Sequence, residues 1–250
     1  MSGHSKWATI KRKKGKEDAK RGKLFGKLSR AIMVAARNGS NPDMNPALAN
    51  AIEKAKSYSM PAENIERAIK KGAGELGAEK YEELTYEGFG PAGVAVMVDI
   101  MTDNRNRTAA DIRHIFTKYG GSLGSSGSVA WMFDRKGTIT ISKSHPIGEE
   151  ELFSLAVEAG AEDMTSEDDQ WQITTDPAEL NFVKNVIEKH GIPIELAEIS
   201  LIPKNPVRLS KEDAEKVLRF VDALEDNDDV QDVFSNFDIP PEVMEQIAGS

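Results

Sequence analysis

The 250-residue chain carries 32 Lys or Arg against 41 Asp or Glu, four His and no cysteine. That excludes disulfides, thiolate metal sites and cysteine nucleophiles, and it suits a reducing cytoplasm. The longest apolar runs, residues 31–36 and 94–98, are far too short for a membrane span. The basic N-terminus has neither the apolar core of a signal peptide nor the glycine of a myristoylation site.

The net charge of −9 hides a local reversal. Residues 6–37 hold twelve Lys or Arg and two acids, giving +10. Residues 1–80 hold eighteen and eight, also +10, so residues 81–250 carry −19. A local basic arm sets the partner even on an acidic protein. Lys6, Trp7, Lys11, Arg12, Lys13 and Lys14 lie in a stretch without helical periodicity, which reads as an arm that folds on its partner. Trp7 suits either stacking on a base or pinning the arm to a core.

Residues 17–37 predict a helix, with acids in the first turn and Asn38-Gly39 as a stop. At 100° per residue, Lys16, Lys20, Lys23, Lys27 and Arg30 share an arc of roughly 80°, with Arg21 among them in sequence. Leu24, Leu28, Ile32 and Ala35 form a second arc about 120° away. One face can bury while the other offers a row of cations matched to phosphates, the alternative being an ordinary solvated face. Gly22 and Gly26 fall between the arcs, where close backbone approach or fraying would use them.

Asn45-Pro46 predicts a capped second helix with Leu48, Ala51, Ile52 and Ala55 inward. Pro61 opens a third, with Ile65, Ala68 and Ile69 inward, Lys70-Lys71 at its C-terminal end and Gly72 as its stop. Residues 72–80 read as a linker. Strands over 82–87 and 94–100 then flank a glycine-rich hairpin turn. Residues 102–108 lead into a helix over 109–119 capped by Asn106. A glycine and serine loop over 120–127 precedes a largely apolar central strand over 129–133.

From residue 137 the order is β-α-β-β-α-β, with strands over 138–142, 163–165, 171–174 and 194–202 and helices over 149–159 and 177–190. That is the split βαβ, ferredoxin-like order. A last helix over 211–224 and a strand over 230–236 lack a sheet of their own and are assigned to the strands of 81–134. The expectation is an α+β protein: a basic three-helix domain over 1–80, an α/β domain over 81–134 plus 206–250, and an inserted ferredoxin-like α/β domain over 135–205.

Catalytic chemistry is not legible. His4, His114, His145 and His190 are scattered without metal-ligand spacing, and no phosphate-cradling glycine-lysine-serine motif is present. The acidic clusters 167–169 and 226–229 lack the spacing and glycine of a calcium loop and read as solvated turns. No catalytic residue, metal, cofactor or small-molecule substrate is expected. Arg105 and Arg107, within Asp103-Asn104-Arg105-Asn106-Arg107, offer bidentate donors to phosphates or base edges; alternatively they pair with acids such as Asp99 or Asp111.

Several motifs together resemble the YebC/PmpR family. They are Gly3-His4-Ser5-Lys6-Trp7, Asp18-Ala19-Lys20-Arg21-Gly22-Lys23, Met60-Pro61 with residues 64–72, Tyr86-Glu87-Gly88-Phe89-Gly90-Pro91, residues 102–108, and Gly127-Ser128-Val129-Ala130. Arg12 stands where the family often has histidine, and Phe89 where it often has tyrosine. The resemblance implies three domains and a cytoplasmic regulator of gene expression that binds nucleic acid. The family is commonly described as acting on DNA in transcription; other members, including a mitochondrial activator of cytochrome oxidase synthesis, act in translation at the ribosome. The motif begins at Gly3, where a targeting extension is not expected. The expected function is therefore non-enzymatic and DNA-binding, with a ribosome- or RNA-associated translation factor as the alternative. A protein-binding adaptor and a nucleic-acid hydrolase stand behind both, and the oligomeric state is left open.

Overall fold

The computed structural model describes residues 18–76, 80–166 and 169–248, apart from the side chains of 18–20 and 248. Residues 134–202 form one compact unit, and the described residues on either side form the other.

The flanking unit begins with three helices: α1 (Asp18–Ala36), α2 (Pro46–Ser57) and α3 (Ala62–Gly72). Leu28, Ile32, Met33 and Ala36 of α1 bury against Leu48 and Ala55 of α2 and Ile65 and Ala68 of α3. Burying a side chain of leucine or isoleucine size contributes about 1.5–3 kcal/mol, so this small cluster holds the helices together. Asn45 fixes the first corner. Its Oδ1 accepts the Leu48 N–H at 3.1 Å while its amide donates to the carbonyls of Ala35 and Gly39 at 2.8 Å each. Gly72 is required by close approach rather than as a stop: a Cβ there would lie 2.3 Å from the Met33 carbonyl oxygen. Gly22 and Gly26 face open space, so neither marks a close contact.

The same unit continues into an antiparallel sheet of β1 (Glu82–Phe89), β2 (Ala95–Thr102), β3 (Ser122–Leu123) and β9 (Val230–Ser235), in the order β3-β1-β2-β9. The β1–β2 hairpin pairs Glu82 with Thr102 and Phe89 with Ala95. Val94, Val96, Val98 and Ile100 alternate onto one face and join the core on that side of the sheet. That face packs against α4 (Arg105–Lys118) and α7 (Lys211–Glu225), where Phe116 and Phe220 meet edge to face with centroids 4.9 Å apart. A parallel pair, β8 (Val207–Arg208) with β10 (Phe237–Asp238), and helix α8 (Pro241–Ala248) complete the unit.

The unit of residues 134–202 is ferredoxin-like. Strands β4 (Phe133–Ser142), β5 (Asp163–Ser166), β6 (Gln170–Thr175) and β7 (Leu196–Pro203) lie in the order β5-β6-β4-β7. Helices α5 (Glu149–Glu158) and α6 (Leu180–Lys189) pack Leu152, Ala156, Val183 and Ile187 onto Ile139, Ile141, Trp171 and Ile173.

One expected strand is absent. Residues 129–133 form a short 3-10 turn, Ala130–Met132, and β4 starts only at Phe133. The Glu87 carboxylate takes the N–H groups of Gly127, Val129 and Ala130, so these donors are not free to form a ladder. Val129 is buried all the same, which is why its run looked strand-like. The α4 cap is also displaced: Asn104, not Asn106, accepts the Arg107 N–H at 3.1 Å.

Candidate nucleic-acid interface

The α1 cations do not form one solvent-facing row. Lys23 Nζ donates to the Asp226 carbonyl at 3.1 Å, Lys27 Nζ to the Glu225 carbonyl and Arg30 to the Asp228 carbonyl. These acceptors lie at the C-terminus of α7 and in the turn after it. There, carbonyls lack helical partners and the helix dipole favours cations. An ion pair, Lys54 to Asp232 at 3.2 Å, and a bond from Arg37 to the Tyr81 carbonyl at 2.8 Å run along the same seam. Arg21 is exposed, its guanidinium 5.4 Å from the Phe25 ring centroid. Lys6, Trp7, Lys11, Arg12, Lys13, Lys14 and Lys16 lie outside the described residues, as does the side chain of Lys20.

Arg105 and Arg107 have different surroundings. Arg107 donates to Asp103 Oδ1 and Asp229 Oδ2, each at 2.8 Å. Its partners are thus neither Asp99 nor Asp111, and the paired carboxylates hold it firmly cationic. Asp229 is almost fully buried and also lies within hydrogen-bond distance of Thr108 Oγ1, at 2.7 Å, and Thr102 Oγ1, at 3.2 Å. Burial alone would raise its carboxyl, but the bonds from Arg107 and Thr108 and the charges of Arg107 and Arg30 outweigh that and hold it below the usual carboxylate range. Asp229 is therefore an anchor, which corrects the reading of 226–229 as a solvated turn. Arg105, at the first position of α4, is exposed and makes no ion pair with another described residue.

A polar cleft of about 330 Å³ opens beside this network, lined among others by Arg30, Arg107, Asp103, Asp111, Asp228 and Asp229. Its carboxylates outnumber its arginines, so it disfavours a phosphate. Among the described residues, no group of three or more His, Asp or Glu is placed to hold a metal ion, and no described helix is long and apolar enough to cross a membrane.

Comparison with known proteins places the whole arrangement. Residues 5–75 match the family model of the TACO1/YebC N-terminal domain, and residues 81–237 match that of the TACO1/YebC second and third domains. This chain belongs to the TACO1/YebC family.

Among TACO1/YebC relatives, one from Rubrobacter xylanophilus is 57% identical over 252 residues, covering all of both chains; one from Halothermothrix orenii is 55% identical over 250 residues, covering 99% of each. Both are named probable transcriptional regulatory protein. The crystal structure of a conserved hypothetical protein, Aq1575 from Aquifex aeolicus, superposes with a TM-score of 0.82 at 53% identity, over 91% of this chain and 94% of that one.

Two of the TACO1/YebC motifs prove to be one structural device. Glu87 from the first receives Gly127 N–H at 2.6 Å and the N–H groups of Val129 and Ala130 at 2.9 Å from the second. Burial would raise the Glu87 carboxyl; the three backbone donors reverse that and lower it. The roles of Glu87, within a family motif, and Asp229, within an acidic cluster, were not readable in the sequence, because each meets its partners far along the chain.

Proposed function

We propose that this protein is a non-enzymatic, DNA-binding regulator of transcription, acting in the cytoplasm. The observation that carries the reading is the concentration of cations before α1 and in its first turn. Lys6, Lys11, Arg12, Lys13, Lys14, Lys16 and Lys20 face only two acids, Glu17 and Asp18, in a chain otherwise strongly acidic. Such a segment neutralises phosphates and releases their counterions, independently of base sequence. With Lys23, Lys27, Arg30 and Arg107 engaged within the protein, the arm, Arg21 and Arg105 are the cations assigned to the partner. The names of the relatives support transcription; nothing in them supports an RNA or ribosomal partner.

The test is crosslinking in cells followed by sequencing of the bound nucleic acid. Enrichment of promoter DNA is expected. Enrichment of ribosomal RNA would overturn the DNA reading, and no enrichment of either would overturn nucleic-acid binding itself.

A further inference from the structure

The aromatic residue Trp131 belongs to no part of the arm, yet it is 64% exposed. It projects from the 3-10 turn that replaces the expected strand, and that turn is held rigidly. Besides the three bonds to the Glu87 carboxylate, Gly124 N–H donates to the Glu87 carbonyl at 2.8 Å, and Met132 N–H to the Val129 carbonyl at 2.9 Å. Gly127 takes φ +84°, a conformation that favours glycine. The indole Nε1–H donates to the Ser128 carbonyl at 3.2 Å. The ring's one polar atom is therefore satisfied, and what it offers a partner is π surface.

The surroundings select the partner. Residues 112–133 contain Arg113, His114 and Lys118 but no acid before Asp134, whereas the rest of residues 81–250 sums to −21. Lys204 N–H donates to the Met132 carbonyl at 2.9 Å, a further backbone bond that fixes the turn. Among the exposed large hydrophobic residues that are described, Phe89 adjoins this loop, through its pairing with Ser122. A protein-docking face needs a contiguous apolar patch. An exposed, oriented aromatic without a contiguous apolar patch around it matches instead the stacking platforms that hold unpaired bases.

We propose that Trp131, a residue outside the basic arm, stacks on an unpaired base of single-stranded nucleic acid. This rests on the nucleic-acid reading above. The test is fluorescence anisotropy of the full-length protein with labelled oligo(dT), oligo(U) and a DNA duplex, comparing wild type, Trp131→Ala and Trp131→Phe after thermal denaturation has shown each variant folded. Stacking per base corresponds to roughly 5- to 150-fold in affinity. Trp131→Ala should lose at least about fivefold on single strands, stay near wild type on duplex and keep the salt dependence, while Trp131→Phe retains most of the binding. Loss on oligo(dT) alone assigns the base to DNA, loss on oligo(U) alone to RNA, and loss on both to either. Unchanged single-strand binding by Trp131→Ala, an equal loss on duplex, or an equal loss in Trp131→Phe would overturn the stacking site while leaving the arm's role intact. A wild type that binds none of the three would overturn the nucleic-acid reading and the stacking site with it.

Discussion

The Arg107 guanidinium donates to Asp229 Oδ2 at 2.8 Å, tying the first turn of α4 to the turn before β9 across 122 residues of chain. Asp229 is the buried member, and it also accepts from Thr108, whose side chain is fully buried. Asp229→Ala leaves hydroxyls without their acceptor and should cost about 2–3 kcal/mol by denaturant unfolding. Arg107→Ala should cost less, because Arg107 remains half exposed. The sign with pH follows from the depressed Asp229 value. A carboxyl held lower in the folded state stabilises above its unfolded value, about pH 4, and loses that contribution as pH falls through the folded value. The stability gap between wild type and Asp229→Asn should therefore close in acid; a gap that stays constant to pH 2 would contradict the network.

Asp99 has the opposite sign. Burial raises its carboxyl, and the charges of Asp232 and Glu83 add to that against the bond from Thr85 and the charge of Lys54. A raised value means a group that stabilises when protonated and loses that contribution as pH rises through the folded value. Asp99→Asn should accordingly raise Tm at pH 7 and leave it nearly unchanged at pH 3. Asn can still accept from Thr85 Oγ1, which lies 2.8 Å from Asp99 Oδ1. Destabilisation at pH 7 would show that the charge is needed.

The seam between α1 and the C-terminus of α7 distinguishes cations that otherwise look alike in sequence. Reversing Lys23 and Lys27 to Glu sets two negative charges against the α7 carbonyls and should cost roughly 1 kcal/mol. Hydrogen exchange at the last turn of α7 should accelerate in that variant. Reversing Lys13 and Lys14 should leave that exchange unchanged. Equal exchange in both variants would mean that the seam contributes nothing.

How much of this was legible depended on the range of the interaction. The ferredoxin-like order over 134–202 was readable because Ile139, Ile141, Trp171 and Ile173 alternate locally and the helices carry their own periodicity. The run 129–133 misled because a short apolar segment does not show whether its N–H groups meet a ladder or a side chain, and here Glu87, forty residues and more away, receives them. The helical arc of Lys23, Lys27 and Arg30 was sound as geometry; what it faces is decided by residues 225–228, close to two hundred positions further on. Asp229 was hidden for the same reason. Asn104 outcompeted Asn106 as cap because the buried Thr102 hydroxyl takes the Asn104 N–H at 2.9 Å and fixes where the helix begins.

The central claim, that the arm before α1 binds the nucleic-acid backbone, is tested most directly by the salt dependence of duplex affinity in the full-length protein. If about six cations meet phosphates, log affinity should fall with log salt at a slope near −5, and reversing Lys11, Arg12, Lys13 and Lys14 to Glu should remove most of that slope without lowering Tm. A reversed protein that keeps both the slope and the affinity would contradict the account and leave the arm a solvated charged segment.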